Sequence, residues 1–356
     1  MKTGLEIKVV TRCEEATVGR EEWNQLLSGS ETDTVFQTYE WIWSWWKVFG
    51  HRHTLILVEV RDGDKLLALG PMMLGKVWMQ RVLRFIGDEN SDYCDFIAGD
   101  RKSDALGAIL DTAAAIKGWD VIELKNIPAA SSTVASVRDF CDRAGKGLVE
   151  RNEIVCPTLI VKGHEEHARR VASGKTIRRR YNFLRKSENF KILQLEEVDE
   201  ALRCFDHFAA QHIRRWSDTP APSLFLKMAN REFYRELIRT LLPQGRLIFT
   251  VLEYEGNPIA YHFGFDYGSK IIWYKPSYDP GYARLSPGSV LLTHLIEYCL
   301  ERGYKELDFG IGDEPFKRRY ANHLNRNVHY MIYNRLPGYL FGNTLQKMME
   351  NLKFFD

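Results

Sequence analysis

Between Lys270 and Arg319 the chain gathers most of the side chains that could do chemistry. Ser286-Pro287-Gly288 has the form of a helix start, with a serine cap and proline at the first helical position. The unbonded N–H groups of such a first turn, with the helix dipole behind them, suit an anion such as a pyrophosphate. Leu285 to Ser289 is therefore a candidate clamp, or else simply the start of a helix. Asp308, His262 and Glu314 could take a proton, and Tyr278, with Tyr274 and Tyr282 beside it in sequence, could give one. Each also has a plain structural use. His262 fits a hydrogen-bonded core histidine in the strand Ala260 to Phe265, a tyrosine can pack under the loop, and Asp313 or Glu314 can cap a helix over Phe316 to Asn322. Lys317 and Arg318 fall on that helix's first turn, where the dipole disfavours cations. This calls for an anion nearby: Asp308, Glu314 or a ligand phosphate. In the first half, Asp92, Tyr93 and Asp95 put two carboxylates and a phenol on a turn leading into a strand, as caps or as a polar pocket.

These groups need elements to hold them. Ile271 to Lys275 is β-branched and aromatic, and Pro276 is expected to stop it. Leu291, Leu292, Leu295, Ile296 and Cys299 repeat at helical spacing up to a closing Gly303, and Glu306 to Phe309 reads as a short strand. As a βαβ unit with a right-handed crossover, this leaves the helix N-terminus facing the cleft at the strand ends. A carboxylate at a strand's carboxyl end, such as Asp308, is well placed for function. The plan occurs twice. Strands His53 to Arg61 and Lys65 to Met73 flank Asp62-Gly63-Asp64, and two strands between Arg246 and Asp266 flank Tyr254 to Asn257. Aligning Gly63 with Gly256 sets Trp41 and Trp45 opposite Tyr234 and Ile238, and Gly118 to Leu124 mirrors Gly303 to Phe309. The expectation is an internal duplication: domains 1–165 and 173–335, then an amphipathic tail, 336–356. Only the second copy carries Ser-Pro-Gly; the first has Arg101 to Asp104 there, so the second is the expected cofactor side. Residues 173–191 read as one helix with Ile177, Tyr181 and Leu184 inward and a basic outer face, either solvated or anion-binding. Arg214 to Leu224 reads as a loop over the cleft.

The strings YKPSYDPGYARLSPGSVLL and LDFGIGDEPFKRRYAN resemble the GNAT superfamily of N-acyltransferases. Within it they are similar to the cellulose-biosynthesis (CelD/BcsL-type) acetyltransferases, relatives of the FemAB/FemX aminoacyltransferases. The resemblance is strongest over Gly174 to Asn334 and looser at Phe36 to Gly50 and Asn90 to Phe96. It implies an α/β fold of tandem GNAT-like domains, each a mixed, centrally antiparallel sheet with helices on both faces. It further implies acetyl-CoA or another acyl-CoA as co-substrate, along Trp273, Tyr274 and Lys275 and on Leu285, Ser286, Pro287, Gly288 and Ser289. The acceptor would be a small molecule or glycan precursor, with Asp92, Tyr93, Asp95, Lys317 and Arg318 on its side. Asp308, His262, Tyr278 and Glu314 are the catalytic candidates. The Gly-x-Gly/Ala loop of many GNAT enzymes is missing. Two alternatives stay open: aminoacyl transfer from tRNA in the FemX manner, and a catalytically silent binding module.

At 356 residues two domains are expected. A formal net charge of +2 argues against a DNA partner and leaves any steering local. Six scattered cysteines lack both C-x-x-C pairing and metal-ligand spacing, so no metal and a reducing, cytoplasmic location are expected. No apolar run approaches the ~18 residues of a membrane span.

Overall fold

The computed structural model describes residues 4–217, 219 and 222–334. The amphipathic tail lies outside the described residues. The chain forms two compact units, one of residues 1–154 with 326 onward, the other of 155–325.

In the first unit the order is β1 (Glu6–Val10), α1 (Arg20–Ser28), α2 (Tyr39–Phe49), β2 (Thr54–Asp62), β3 (Lys65–Val77), β4 (Gln80–Phe85), β5 (Ile97–Ala98), α3 (Lys102–Ala115), β6 (Val121–Pro128), α4 (Ser132–Ala144) and the start of β7 (Gly147–Ile160). Thr38 opens α2 by accepting from Trp41 N at 3.2 Å, and Trp41 and Trp45 bury the helix's inner stripe. Glycine sits in the left-handed conformation at the Gly63 turn between β2 and β3 (φ 57°), as that two-residue hairpin requires. β1, β2, β3 and β4 pair antiparallel in sequence order, β4 runs parallel to β6, and β6 pairs antiparallel with residues 327–333. Ile56, Val58, Leu83, Ile109, Leu110, Ile122 and Phe140 belong to the core that α3 and α4 close over this sheet.

The second unit takes the end of β7, then α5 (Glu165–Ala172), α6 (Lys175–Leu184), β8 (Lys191–Leu195), α7 (Val198–Trp216), α8 (Met228–Leu241), β9 (Leu247–Tyr254), β10 (Asn257–Tyr267), β11 (Lys270–Tyr278), α9 (Pro287–Arg302), β12 (Glu306–Asp308), α10 (Pro315–Tyr320) and the first residues of β13 (His323–Tyr333). β8, β9, β10 and β11 pair antiparallel in order, β11 runs parallel to β12, and β12 pairs antiparallel with Thr158–Ile160. Strand for strand this repeats the first unit's plan: a mixed, centrally antiparallel sheet with one parallel junction, served by helices. Each sheet is completed by a strand from beyond its own half of the sequence, β13 in the first unit and the end of β7 in the second.

Local expectations fail in four places. Pro276 does not stop β11, which runs on to Tyr278, because beyond Ile272 no β12 residue faces it and an edge tolerates the missing N–H. α6 ends at Leu184, so Arg185 and Lys186 lie past the helix in the turn toward β8. Arg214, Arg215 and Trp216 are the last turn of α7 and not a loop. The last short helix is Pro315–Tyr320, with Glu314 at its cap position and no side-chain capping bond.

Candidate functional site

The two parallel strands of the second unit part company at Asp308. Lys270, Ile271 and Ile272 face Glu306, Leu307 and Asp308; β12 then stops, while β11 continues through Trp273–Tyr278 with β10 alone beside it. The backbone groups of Trp273–Tyr278 that point away from β10 therefore have no strand partner. At this end of β11 stands the start of α9. A Cβ added at Gly288 would lie 3.5 Å from the Tyr278 ring.

The helix start differs from its expected form. Ser286 occupies the cap position before Pro287, yet it is left-handed (φ 50°, ψ 51°) and its side chain caps nothing. Its hydroxyl accepts from the Arg180 guanidinium of α6. Ser289 and Val290 donate to the Ser286 carbonyl at 3.0 and 3.1 Å, Pro287 has no N–H, and the Gly288 N–H points out of the helix end. A non-glycine residue in this conformation costs on the order of 1–2 kcal/mol, and a cation beside a helix N-terminus opposes the dipole. Both features suit a bound anion. Leu285, Tyr278 and Tyr282 each pack against the buried cluster that includes Val290 and Leu291, and Ser289 lies beside Tyr320.

Tyr278 is held by Arg215 from the last turn of α7. Arg215 stacks its guanidinium 4.2 Å from the Tyr278 ring centroid and donates to the Pro276 carbonyl at 3.3 Å. Burial pulls the Arg215 pKa down, and the Tyr278 hydroxyl offsets part of this. Trp273 and Tyr274 face opposite sides of the sheet. Tyr274 stacks on Tyr234, accepts its hydroxyl at 3.0 Å and carries the Lys275 ammonium 3.8 Å over its ring. Trp273 stacks on His262, with ring centroids 4.5 Å apart and planes within 10°.

His262 is fully buried. Neither ring nitrogen has a hydrogen bond of normal geometry, and burial drives its pKa down to about 3, with the Ile272 carbonyl opposing only in part. Room for the ring comes from Gly264, where a Cβ would stand 2.2 Å from the Ile272 oxygen and 2.3 Å from the imidazole. This is the setting of a neutral packing histidine, without the hydrogen bond expected of one.

Asp308 is nearly buried, and its Oδ1 accepts the Gly310 N–H at 2.8 Å, shaping the turn after β12. Lys317, in α10 beyond that turn, is buried. It donates to the Ile311 carbonyl at 2.5 Å and pairs with Glu314 at 3.0 Å, while Arg318 grips Asp313. The anions that the cations of α10 call for are thus Glu314 and Asp313. Tyr278, Leu285–Ser289 and Arg180 meet at the end of β11; Asp308, Glu314, Lys317 and Arg318 follow the end of its parallel neighbour.

Asp92, Tyr93 and Asp95 belong to the first unit, where their segment fills the place that stays open in the second. Beyond Phe85 at the end of β4, residues 87–95 lie against β6 and β13: Cys94 N donates to Asn126 O at 3.0 Å, Asn126 Nδ2 to Ser91 O at 2.8 Å and Asn327 Nδ2 to Asp92 O at 2.8 Å. Asp95 is fully engaged, accepting from Thr32 at 2.7 Å, Thr133 at 2.5 Å and Phe96 N at 2.8 Å. Trp41 and Trp45 donate to Ser91 and Asn90 in the same segment. This physical difference separates the two copies.

Residues 169–318, within the second unit, match the family model for an acetyltransferase (GNAT) domain. Among solved structures the chain resembles FemX, with a TM-score of 0.66 and 11% identity over 89% of this chain and 96% of that one. It also resembles L-PGS from Bacillus licheniformis, with a TM-score of 0.55 and 14% identity over 94% and 97%. A tandem GNAT protein from the clavulanic acid biosynthesis pathway gives a TM-score of 0.52 and 11% identity over 93% and 99%. At such identities the shared property is the fold, a tandem GNAT architecture. No curated protein matches the chain.

Proposed function

We propose that the protein is an acyl-CoA-dependent N-acyltransferase of the CelD/BcsL type, acting in the cytoplasm on an amine of a polar cell-envelope or polysaccharide precursor. The observation that carries this reading is the open edge of β11 beyond Ile272, next to a helix start that sets Arg180 beside a strained Ser286. In this reading the pyrophosphate lies on Leu285–Ser289 and Arg180, and the thioester carbonyl lies along Trp273, Tyr274 and Lys275. The acceptor amine attacks that carbonyl directly; the C–N bond forms as the C–S bond breaks, and CoA leaves as thiolate. Tyr278, fixed by Arg215, supplies the proton to sulfur, and Asp308 or Glu314 takes the one released by the amine. Lys317 and Arg318 hold the loop that carries these carboxylates. His262 supports Trp273 from behind.

One observation favours a second reading, transfer of an aminoacyl group from tRNA. Residues 169–191 hold nine cations against the single acid Glu188, and the fold resembles that of FemX. A thermal melt against a panel of acyl-CoAs separates the readings. Stabilisation by one acyl-CoA, about 2.7 kcal/mol at a hundredfold excess over Kd, should vanish in Gly288→Trp, whose side chain would fill the mouth of the clamp. If no acyl-CoA shifts the melt and aminoacyl-tRNA does, the second reading replaces the first; if neither does, the module is silent.

A further inference from the structure

We propose that the tip of the β3–β4 hairpin, Lys76 to Arg81, is a membrane-contacting element that seats in the headgroup region of an anionic lipid bilayer. Val77 pairs with Gln80, so the turn is the two residues Trp78 and Met79. They are 93% and 91% exposed, the most exposed large apolar side chains among the described residues, and Val77 beside them is 38% exposed.

Folding alone does not account for this sequence. Trp78 is left-handed (φ 55°) at the first turn position, where a bulky side chain is a poor choice. The comparable hairpin turns of this chain use small or polar residues: Gly63-Asp64, Glu255-Gly256 and Gly268-Ser269, each with glycine in a left-handed conformation. Lys76 and Arg81 face each other directly across the hairpin. Both are exposed and neither is in an ion pair, a like-charge arrangement that weakens a strand pair. Three local choices thus oppose the isolated hairpin, and one environment reconciles them. A tryptophan's amphipathic ring prefers the membrane–water interface, methionine fills irregular apolar space, and flanking cations are drawn to anionic headgroups. No described helix is long and apolar enough to cross a membrane; the contact proposed is a peripheral one.

The inference does not rest on the acyl-transfer reading, and its test needs no substrate. The full chain is sedimented with vesicles of phosphatidylcholine alone and of phosphatidylcholine mixed equally with phosphatidylglycerol, beside a variant carrying Trp78→Gly and Met79→Ser. The variant copies the chain's own Gly268-Ser269 turn, so its melting temperature should equal or exceed that of the wild type. The wild type should pellet with the mixed vesicles and less with the neutral ones, and the variant's partition should fall about tenfold or more. Three results would overturn the proposal. The wild type could stay in the supernatant. The variant could pellet equally, which would move the contact to another surface such as the basic stretch 169–191. The wild type could self-associate without lipid while the variant does not, which would make the tip a contact between copies.

Discussion

Arg180→Glu should weaken acyl-CoA binding about a hundredfold while changing the protein's own stability by only about 1 kcal/mol. In the free protein the Arg180 guanidinium donates to Ser286 beside the first turn of α9. A cation there opposes the helix dipole by ~0.3–1 kcal/mol, and a carboxylate gains about as much. Without ligand, the dipole gain offsets the lost bond to Ser286, so charge reversal changes stability by only about 1 kcal/mol. With a pyrophosphate present the sign changes. A charge-assisted hydrogen bond contributes about 1.5–3 kcal/mol, and the substituted carboxylate adds repulsion. A net loss of ~3 kcal/mol is about two orders of magnitude in Kd. Calorimetric titration with acyl-CoA and a denaturant midpoint give the two readouts. Unchanged affinity would reduce Arg180 to a prop for the Ser286 backbone.

Mild acid should destabilise the second unit steeply, and His262→Phe should remove much of that sensitivity. Burial drives His262 and His212 each down to about 3, against ~6.5 for an unfolded histidine. Below pH 6.5 the unfolded chain takes up a proton that the folded chain refuses, so stability is full above 6.5 and falls as pH drops toward 3. Each histidine contributes ~1.4 kcal/mol per pH unit, about 2 kcal/mol by pH 5. In the first unit buried Asp88 works the other way. Burial raises it to about 6 against the pull of Arg84 at 3.2 Å, so its contribution is present at low pH and lost as pH rises through 6. His262→Phe keeps a ring stacked on Trp273 and deletes two buried nitrogens without partners. It should gain about 2 kcal/mol more at pH 5 than at pH 7.5, read from denaturant unfolding at both values. An unaltered pH slope would mean that His262 titrates normally in the folded protein.

Much of the architecture was legible because the signals that carry it are local. Glycines at hairpin turns and helix ends, the apolar stripe of α9 and the repeated Gly-aromatic step before β6 and β12 are short-range features, and they revealed the duplication. The exchange of the last strands was not legible, since β7 and β13 read as ordinary strands and nothing in them names the sheet they join. At the site, Ser286 was recognised by type, but its left-handed backbone and its bond to Arg180, 106 residues earlier, depend on how α6 packs on α9. Arg215 was hidden by the prolines that follow it, which made the end of α7 look like a loop. Asp95 looked like a pocket carboxylate because its partners Thr32 and Thr133 are distant in sequence. Glu314 was legible as a partner for the cations of α10, whereas Asp313 read only as a helix cap; both carboxylates pair with those cations in place of capping.

Amide hydrogen exchange of the full chain with and without acetyl-CoA tests the central claim most directly. Slower exchange is expected in Trp273–Tyr278 and at Gly288, whose outward N–H groups would meet the thioester and the pyrophosphate, while Cys94–Phe96 at the filled position of the first unit stays unchanged. Saturating acetyl-CoA that leaves Trp273–Tyr278 unprotected, or that protects Cys94–Phe96 instead, would contradict the account.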